Sequence, residues 1–346
     1  MGRVLNTIVL SGRSVSVIVL LAAATACGSQ ASDSASDTDQ NSSATADRPR
    51  IVVTTNILGD IVSAAVGDQA DVEVIMPLGT DPHDFAPSAR QAESMEDADL
   101  LIVNGAGFEQ GMLDIVANVS DTGTEVFSFA DHVELLEFTG DHDHGDDDHG
   151  DDEHADDEHA DEDHADHEGG QDPHLWTDPT RIAAAVAALE PVVAGLSGVD
   201  AEAVATSFDG YLDDLGALDA SMQETLAVVP ATQRILVTNH EVFGYFADRY
   251  DFDVIGTIIP SLTTSAESSA SDIEALADLI DADGVPAVFG ETTQSSTLTE
   301  VLADEVGESV EVVELFSESL GEEGSGAETY LGMMQRNADL VAGALT

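Results

Sequence analysis

The same alternation of short apolar runs and helix-like segments occurs twice in this chain, and it restricts the possible folds more than any other feature. The runs are rich in β-branched residues, and the segments between them carry apolar residues at helical spacing. The runs cover residues 50–55, 71–76, 99–103 and 125–129 in the first half, and residues 234–239, 253–259, 286–291 and 309–316 in the second. Such alternation is typical of βαβ units. It predicts an α/β protein with two lobes, each built on a parallel sheet.

The segment of residues 180–229 separates the two halves and contains no strand-like run. Its apolar residues recur at helical spacing, with a break at residues 197–199. A helix over residues 200–228 would be about 40 Å long at about 1.5 Å per residue. Such a helix is stiff and limits how far two lobes can hinge around a ligand. We therefore expect an N-terminal lobe at residues 50–198, a linking helix at 199–228 and a C-terminal lobe at 229–346.

The amino terminus has the features of an export signal. Arg3 and Arg13 precede an apolar run over residues 14–26, which is too short to span a bilayer and is typical of a secretory signal peptide. Cys27, the only cysteine, follows in a stretch that resembles a bacterial lipobox and excludes an internal disulfide. We predict a signal peptide at residues 1–26 and a lipid on Cys27, with ordinary cleavage beside an incidental cysteine as the alternative. Residues 27–49 are polar and predict a disordered tether.

The charge balance excludes one class of partner. The chain has 69 acidic and 9 basic side chains, a formal net charge of −60. Binding to nucleic acid needs clustered Lys and Arg to neutralise phosphates, so nucleic acid is excluded as a partner. Self-repulsion of this size favours a monomer.

An acidic, histidine-rich tract occupies residues 140–169. It has too few apolar residues to form a core, so we expect a disordered loop. Imidazole beside carboxylate suits weak, multivalent binding of a borderline cation such as Zn²⁺, and solvation alone is the alternative. The seven histidines of the tract are His142, His144, His149, His154, His159, His164 and His167.

Four histidines lie outside the tract, and three of them occupy loops that follow predicted strands or precede helices. His83 and His174 each follow Asp-Pro, and His240 directly follows the strand-like run 234–239 and is predicted to open a helix. Because ligands of open α/β sheets bind at the carboxyl ends of strands, these side chains can converge. Glu318, after the last strand, is the natural fourth ligand, and three imidazoles with one carboxylate suit tetrahedral zinc, whereas Mn²⁺ prefers more oxygen donors. His132 lacks such a setting and is read as an ordinary loop residue.

Five segments carry a family resemblance that runs from about residue 50 to the carboxyl terminus. They are PLGTDPHDFAPSARQ, DPHLWTDP, TNHEVFGYFADRYDF, GETTQSSTLTEVLADEVG and LFSESLGEEGSGAETYLGMMQRNADLV. The chain resembles the zinc- and manganese-binding lipoproteins of ABC importers, the cluster A-I substrate-binding proteins. The resemblance implies two (β/α)₄ lobes joined by a long rigid helix, metal in the cleft between the lobes, and delivery to a permease driven by a cytoplasmic ATPase.

The resemblance also implies a ligand set. Matched by motif, the ligands are His83, His174, His240 and Glu318. Members with His at the third position resemble zinc binders and those with Glu resemble manganese binders, so the resemblance implies Zn²⁺ as the transported ion, with Mn²⁺ as the alternative. The family commonly has Asp at the fourth position, so this ligand stays open between Glu318, Glu241 and water.

Two functions outside transport remain to be weighed. A secreted zinc hydrolase would need an open coordination position and a general base, and the HExxH motif is absent. A surface metal buffer or adhesin without transport is the other. We expect a non-enzymatic lipoprotein on the outer face of the cell membrane, whose metal affinity falls below about pH 6.5 because neutral imidazoles are required.

Overall fold

The computed structural model describes residues 48–138, 170–266, 268–307 and 310–346. All of the described residues belong to one unit of the chain, Thr45–Thr346. The predicted signal peptide, Cys27, nearly all of the tether and the histidine-rich tract lie outside the described residues. The interpretations of those segments stay predictions.

The first sheet has four parallel strands in the order β2-β1-β3-β4. These strands are β1 (Arg50–Val53), β2 (Asp71–Val74), β3 (Leu100–Val103) and β4 (Val126–Ser128). The central strands β1 and β3 are apolar throughout or nearly so, and both are buried, as expected of parallel strands covered on both faces. In the edge strand β2, acidic residues alternate with valines, and the strand is largely exposed.

A short antiparallel ribbon of β5 (Glu137–Phe138) and β6 (Gly170–Gln171) follows the first sheet. The second sheet again has four parallel strands, in the order β10-β9-β7-β8. Its strands are β7 (Ile235–Thr238), β8 (Asp253–Thr257), β9 (Ala287–Glu291) and β10 (Glu311–Leu315). Read from the β8 edge, this order is the same as in the first sheet: second strand, first, third, fourth. The predicted α/β fold with two parallel sheets is confirmed.

Helices connect the strands of both sheets. They are α1 (Asn56–Val66), α2 (Ala89–Glu96), α3 (Leu113–Thr122), α4 (Pro179–Ala194), α5 (Ala201–Leu226), α6 (Gly244–Tyr250), α7 (Ala270–Asp283), α8 (Thr297–Val306) and α9 (Tyr330–Ala344). Short 3₁₀ turns lie at Gln110–Met112, Phe129–His132, Leu175–Thr177 and Ala231–Gln233. Asp200 caps α5 by accepting hydrogen bonds from the backbone of its first turn. With 26 residues, α5 is about 39 Å long at about 1.5 Å per residue.

The long helix does more than connect the two sheets in sequence. It packs against α1, α4 and α9. One continuous apolar cluster includes Ile51 of β1, Phe208 of α5, Phe289 of β9 and Met334 of α9. The two sheets therefore share a core, and opening them would expose apolar surface in addition to bending a helix. Within the described residues, no helix combines the length and the apolar character needed to cross a membrane.

Candidate metal-binding site

Four side chains singled out from the sequence converge where the loops of the two sheets meet. His83, His174, His240 and Glu318 each contribute one candidate ligand atom, and these atoms all lie within 4.8 Å of one another. The Glu318 Oε1 atom is 2.8 Å from His83 Nε2, 3.4 Å from His240 Nε2 and 3.7 Å from His174 Nε2. The four residues are buried, with His83 the most exposed at 4%.

Several polar atoms at the centre of this group lack the partners that buried polar atoms normally have. Among the described residues, no hydrogen bond reaches the Nε2 atoms of the three imidazoles or either carboxylate oxygen of Glu318. The short approach of His83 to Glu318 has the distance of an ion pair without hydrogen-bond geometry. A buried polar group without a partner costs about 1–3 kcal/mol. Five such atoms facing one another fit a site whose partner is a cation.

His83 lies in the loop that follows β2. Its backbone N–H donates to Asp81 Oδ1 at 2.9 Å, a short-range turn that Asp side chains commonly make. The rings of His83 and Phe108 pack edge to face, with their centroids 5.2 Å apart. The loop therefore fixes the backbone of His83, and the phenyl ring restricts its imidazole.

His174 is held from both its backbone and its ring. Asp172 Oδ1 accepts from the His174 backbone N–H at 2.9 Å and lies 2.8 Å from His174 Nδ1. The backbone of the two residues before His174 is also held. Asn104 Nδ2 donates to the Pro173 carbonyl, and the Tyr245 hydroxyl donates to the Asp172 carbonyl. A proton on Nδ1 leaves Nε2 free to bind a metal. Burial lowers the pKa of His174 against the opposing effect of Asp172, so its imidazole is neutral.

His240 has a comparable carboxylate partner. Its Nδ1 lies 2.5 Å from Glu291 Oε1, and Ser317 Oγ donates to the other oxygen of Glu291 at 2.6 Å. Burial acts to lower the pKa of His240, but Glu291 and Glu318 outweigh it and raise the pKa well above its usual value. Sequence reasoning assigned no role to Glu291. The sequence feature that could have identified Glu291 is a carboxylate at the end of the apolar strand-like run. The residue ends β9, a strand in which every residue is buried.

One local expectation about His240 was wrong. The sequence predicted that His240 opens a helix, whereas α6 begins at Gly244. The intervening residues form a tight turn in which the Val242 N–H donates to the His240 carbonyl, and Val242 and Phe243 are buried. This turn directs the imidazole to the centre of the site.

Glu318 lies in the loop after β10, and the first lobe holds that loop. The Trp176 indole N–H donates to the Ser317 carbonyl at 2.7 Å, and the Leu320 N–H donates to Asn56 Oδ1 at 2.8 Å. Burial acts to raise the pKa of Glu318, but the imidazoles of His240 and His83 outweigh it and lower the pKa, so the carboxylate is ionised. Glu318 and His240 thus each favour the charged form of the other.

Two other residues from the sequence analysis lie outside this group. Glu241, an alternative fourth ligand, accepts a hydrogen bond from the Thr257 hydroxyl and is not among the converging atoms. His132 is exposed and stacks on Phe127, with the ring centroids 4.4 Å apart. The geometry thus favours Glu318 over Glu241 as the carboxylate of the site.

Comparison with known proteins shows which family this chain matches. The family described as ZnuA, zinc-uptake complex component A, periplasmic, matches residues 51–344. The manganese-binding lipoprotein MntA of Halalkalibacterium halodurans is 28% identical over 333 residues, 96% of this chain and 97% of that protein. The zinc-binding protein TroA of Treponema pallidum is 27% identical over 302 residues, 86% of this chain and 89% of that protein. Its solved structure has a TM-score of 0.72 and covers 86% of this chain and 99% of its own. These relatives are named for two different metals.

Proposed function

The chain belongs to the periplasmic zinc-uptake component A family, metal-binding substrate-binding proteins of ABC importers, and from this premise we propose that it captures Zn²⁺ outside the cell membrane and delivers it to a permease. One observation carries the choice of ligands. The Nε2 atoms of His83, His174 and His240 and the carboxylate of Glu318 face one another, buried, without other hydrogen-bond partners among the described residues. We propose these four side chains as the metal ligands.

The chemistry of this donor set supports zinc. Zn²⁺ binds imidazole nitrogen and carboxylate oxygen in tetrahedral sites with four ligands. In zinc sites the second ring nitrogen of a histidine ligand usually donates to a carboxylate, which orients the ring and raises its basicity. Asp172 is the carboxylate partner of His174 Nδ1, and Glu291 is the carboxylate partner of His240 Nδ1. Two of the three imidazoles are therefore already oriented with Nε2 towards the ion.

Capture would exchange a proton for the metal. Glu291 faces Nδ1 of His240 and Glu318 faces its Nε2, and both favour the protonated imidazole against the effect of burial. A cation that binds Nε2 would displace the proton from that atom. Cations are attracted to a protein of formal net charge −60. The partners we propose are a membrane permease with a cytoplasmic ATPase, and a lipid on Cys27 would keep the protein on the outer face of the membrane. We propose that it acts as a monomer.

Manganese is the second candidate, and a specific observation favours it. Both oxygens of Glu318 lack hydrogen-bond partners among the described residues, so the carboxylate can bind through both and supply a further oxygen donor. Mn²⁺ prefers oxygen donors more than zinc does. The relative with 28% identity is named as manganese-binding.

A chelator-competition titration tests the proposal. Zn²⁺ and Mn²⁺ are titrated separately into the full chain, a deletion of residues 140–169, a His83→Ala variant and a His132→Ala control. We expect one tight zinc site that remains in the deletion and in the control, is lost in His83→Ala, and binds Mn²⁺ more weakly. Tight binding that disappears with residues 140–169 would instead indicate a surface metal buffer. Tighter binding of Mn²⁺ than of Zn²⁺ would favour the second candidate.

A further inference from the structure

The sequence Asp-Pro-His occurs twice, and the two copies use their Asp side chains differently. In both, an Asp oxygen accepts from the backbone N–H of the histidine at 2.9 Å. Asp172 also lies 2.8 Å from the ring nitrogen of its own histidine. His83 Nδ1, in contrast, has no hydrogen-bond partner among the described residues. Asp81 therefore fixes the backbone of His83 and leaves the ring alone.

The second oxygen of Asp81 contacts the other lobe. Asp81 Oδ2 accepts from Thr264 Oγ1 at 2.6 Å and from Gln294 Nε2 at 2.5 Å. Thr264 lies after β8 and Gln294 lies after β9, so two separate loops of the second lobe donate to one carboxylate. Hydrogen bonds to an ionised acceptor are stronger than those between neutral groups. One side chain thus joins the loop of a proposed ligand to the opposite lobe.

These side-chain hydrogen bonds join the His83 loop to the second lobe at one wall of the site. His174 and Glu318 lie beside the shared core, whose members include Leu175 and Leu320. The four proposed ligands are nearly inaccessible, so an ion passes only when part of the wall moves. The His83 loop includes Leu78, which is 53% exposed.

We propose that Asp81 is a positioning residue that closes the His83 loop against the second lobe and thereby sets the rate at which the metal exchanges. This inference rests on the proposed function, because it presupposes a bound ion. Opening the loop requires both bonds to Asp81 Oδ2 to break, together with an exposed bond from Ser265 to Asp84 and a bond from the Gly79 N–H to Ser319 Oγ. The bond from Asp81 Oδ1 to the His83 N–H makes the ligand move with the loop. Because the ion must pass the same loop in both directions, the bonds slow entry and release alike.

The test leaves Asp81 unchanged, because its replacement would also disturb the backbone of His83. A Thr264→Val, Gln294→Leu double variant removes only the two donors of the second lobe. Thr264→Ser keeps the hydroxyl and serves as the matched control. Ser265→Ala is a second control, since it removes another bond between the same loop and the second lobe, from Ser265 Oγ to Asp84 at 3.0 Å, which is exposed so that water replaces it. Stopped-flow mixing of full-length protein measures zinc association, and mixing of the zinc-loaded protein with excess chelator measures release.

We expect association and release to be at least about tenfold faster in the double variant, equivalent to about 1.4 kcal/mol of barrier, with an equilibrium affinity within about threefold of wild type. Both controls should keep the wild-type rates. Unchanged rates in the double variant would overturn the inference. Faster release with an equal loss of affinity would also overturn it, because that pattern indicates damage to the bound state rather than an easier opening. A wild-type protein that binds no zinc would overturn the proposed function itself.

Discussion

Zinc binding should release a proton, and His240 is the group that supplies it. Burial opposes the charged form of this imidazole, but Glu291 and Glu318 outweigh burial and raise its pKa well above the usual value. Burial lowers the pKa of His174, and the imidazoles of His240 and His83 lower the pKa of Glu318 against the effect of burial, so His174 is a neutral imidazole with Nε2 unprotonated and Glu318 is a carboxylate. A metal ion that binds His240 Nε2 displaces the proton held there.

The size and the sign of the effect follow from proton counting. One proton released per ion makes the affinity fall about tenfold, or about 1.4 kcal/mol, for each unit of pH below the raised pKa of His240. The weakening therefore begins at a higher pH than the value of about 6.5 expected for an ordinary imidazole. The contribution of His240 to the free energy of unfolding depends on pH in the opposite direction. A raised pKa stabilises the metal-free protein fully below about pH 6.5, and this contribution is lost as the pH rises through the folded-state pKa.

Calorimetric titration at pH 7 in buffers of different ionisation enthalpy counts the protons. We expect about one per zinc ion for the wild type. Glu291→Gln keeps an acceptor for His240 Nδ1 and removes one of the two charges that raise its pKa. Its proton count should fall towards zero. No proton release from the wild type, or the same count in both proteins, would refute this account of His240.

Two further substitutions test the surroundings of the site. A Cβ atom on Gly244 would lie 2.7 Å from Asp172 Oδ2, so Gly244→Ala should displace the carboxylate that orients a ligand and weaken zinc binding by about 10–100-fold in chelator competition. Gly210→Ala is the control, because a Cβ atom there would meet nothing within 4 Å. Wild-type zinc binding in both variants would contradict this role of Asp172. Trp176→Phe removes the donor to the buried Ser317 carbonyl and should lower the free energy of unfolding by about 1–3 kcal/mol in urea, whereas unchanged stability would show that the bond contributes nothing.

The parts of the fold that depend on local pattern were predictable from the sequence. Continuous apolar runs mark buried parallel strands, so β1, β3 and β9 were found within one or two residues at each end. The loops of His83 and His240 could be placed after strands, and the loop of His174 before a helix, for the same reason. The exact strand ends were not predictable, because pairing stops where the partner strand turns away.

Features that depend on tertiary contact could not be predicted. Glu291 reaches His240 from 51 positions along the chain, and Asp81 meets Gln294 from 213 positions away. No local spacing encodes such pairs. The raised pKa of His240 was missed for the same reason, because it arises from two carboxylates that only the fold brings near. The shared core around α5 likewise needs both lobes in place.

The most direct test of the central claim is X-ray absorption spectroscopy of zinc-loaded protein that lacks residues 140–169. Deletion of that tract removes its seven histidines as competing ligands. The account predicts three imidazole nitrogens at about 2.0–2.1 Å from zinc and carboxylate oxygen at about 2.0–2.2 Å. A zinc ion with one imidazole or none, or a deletion variant that holds no zinc, would contradict the assignment of His83, His174, His240 and Glu318 as the metal ligands.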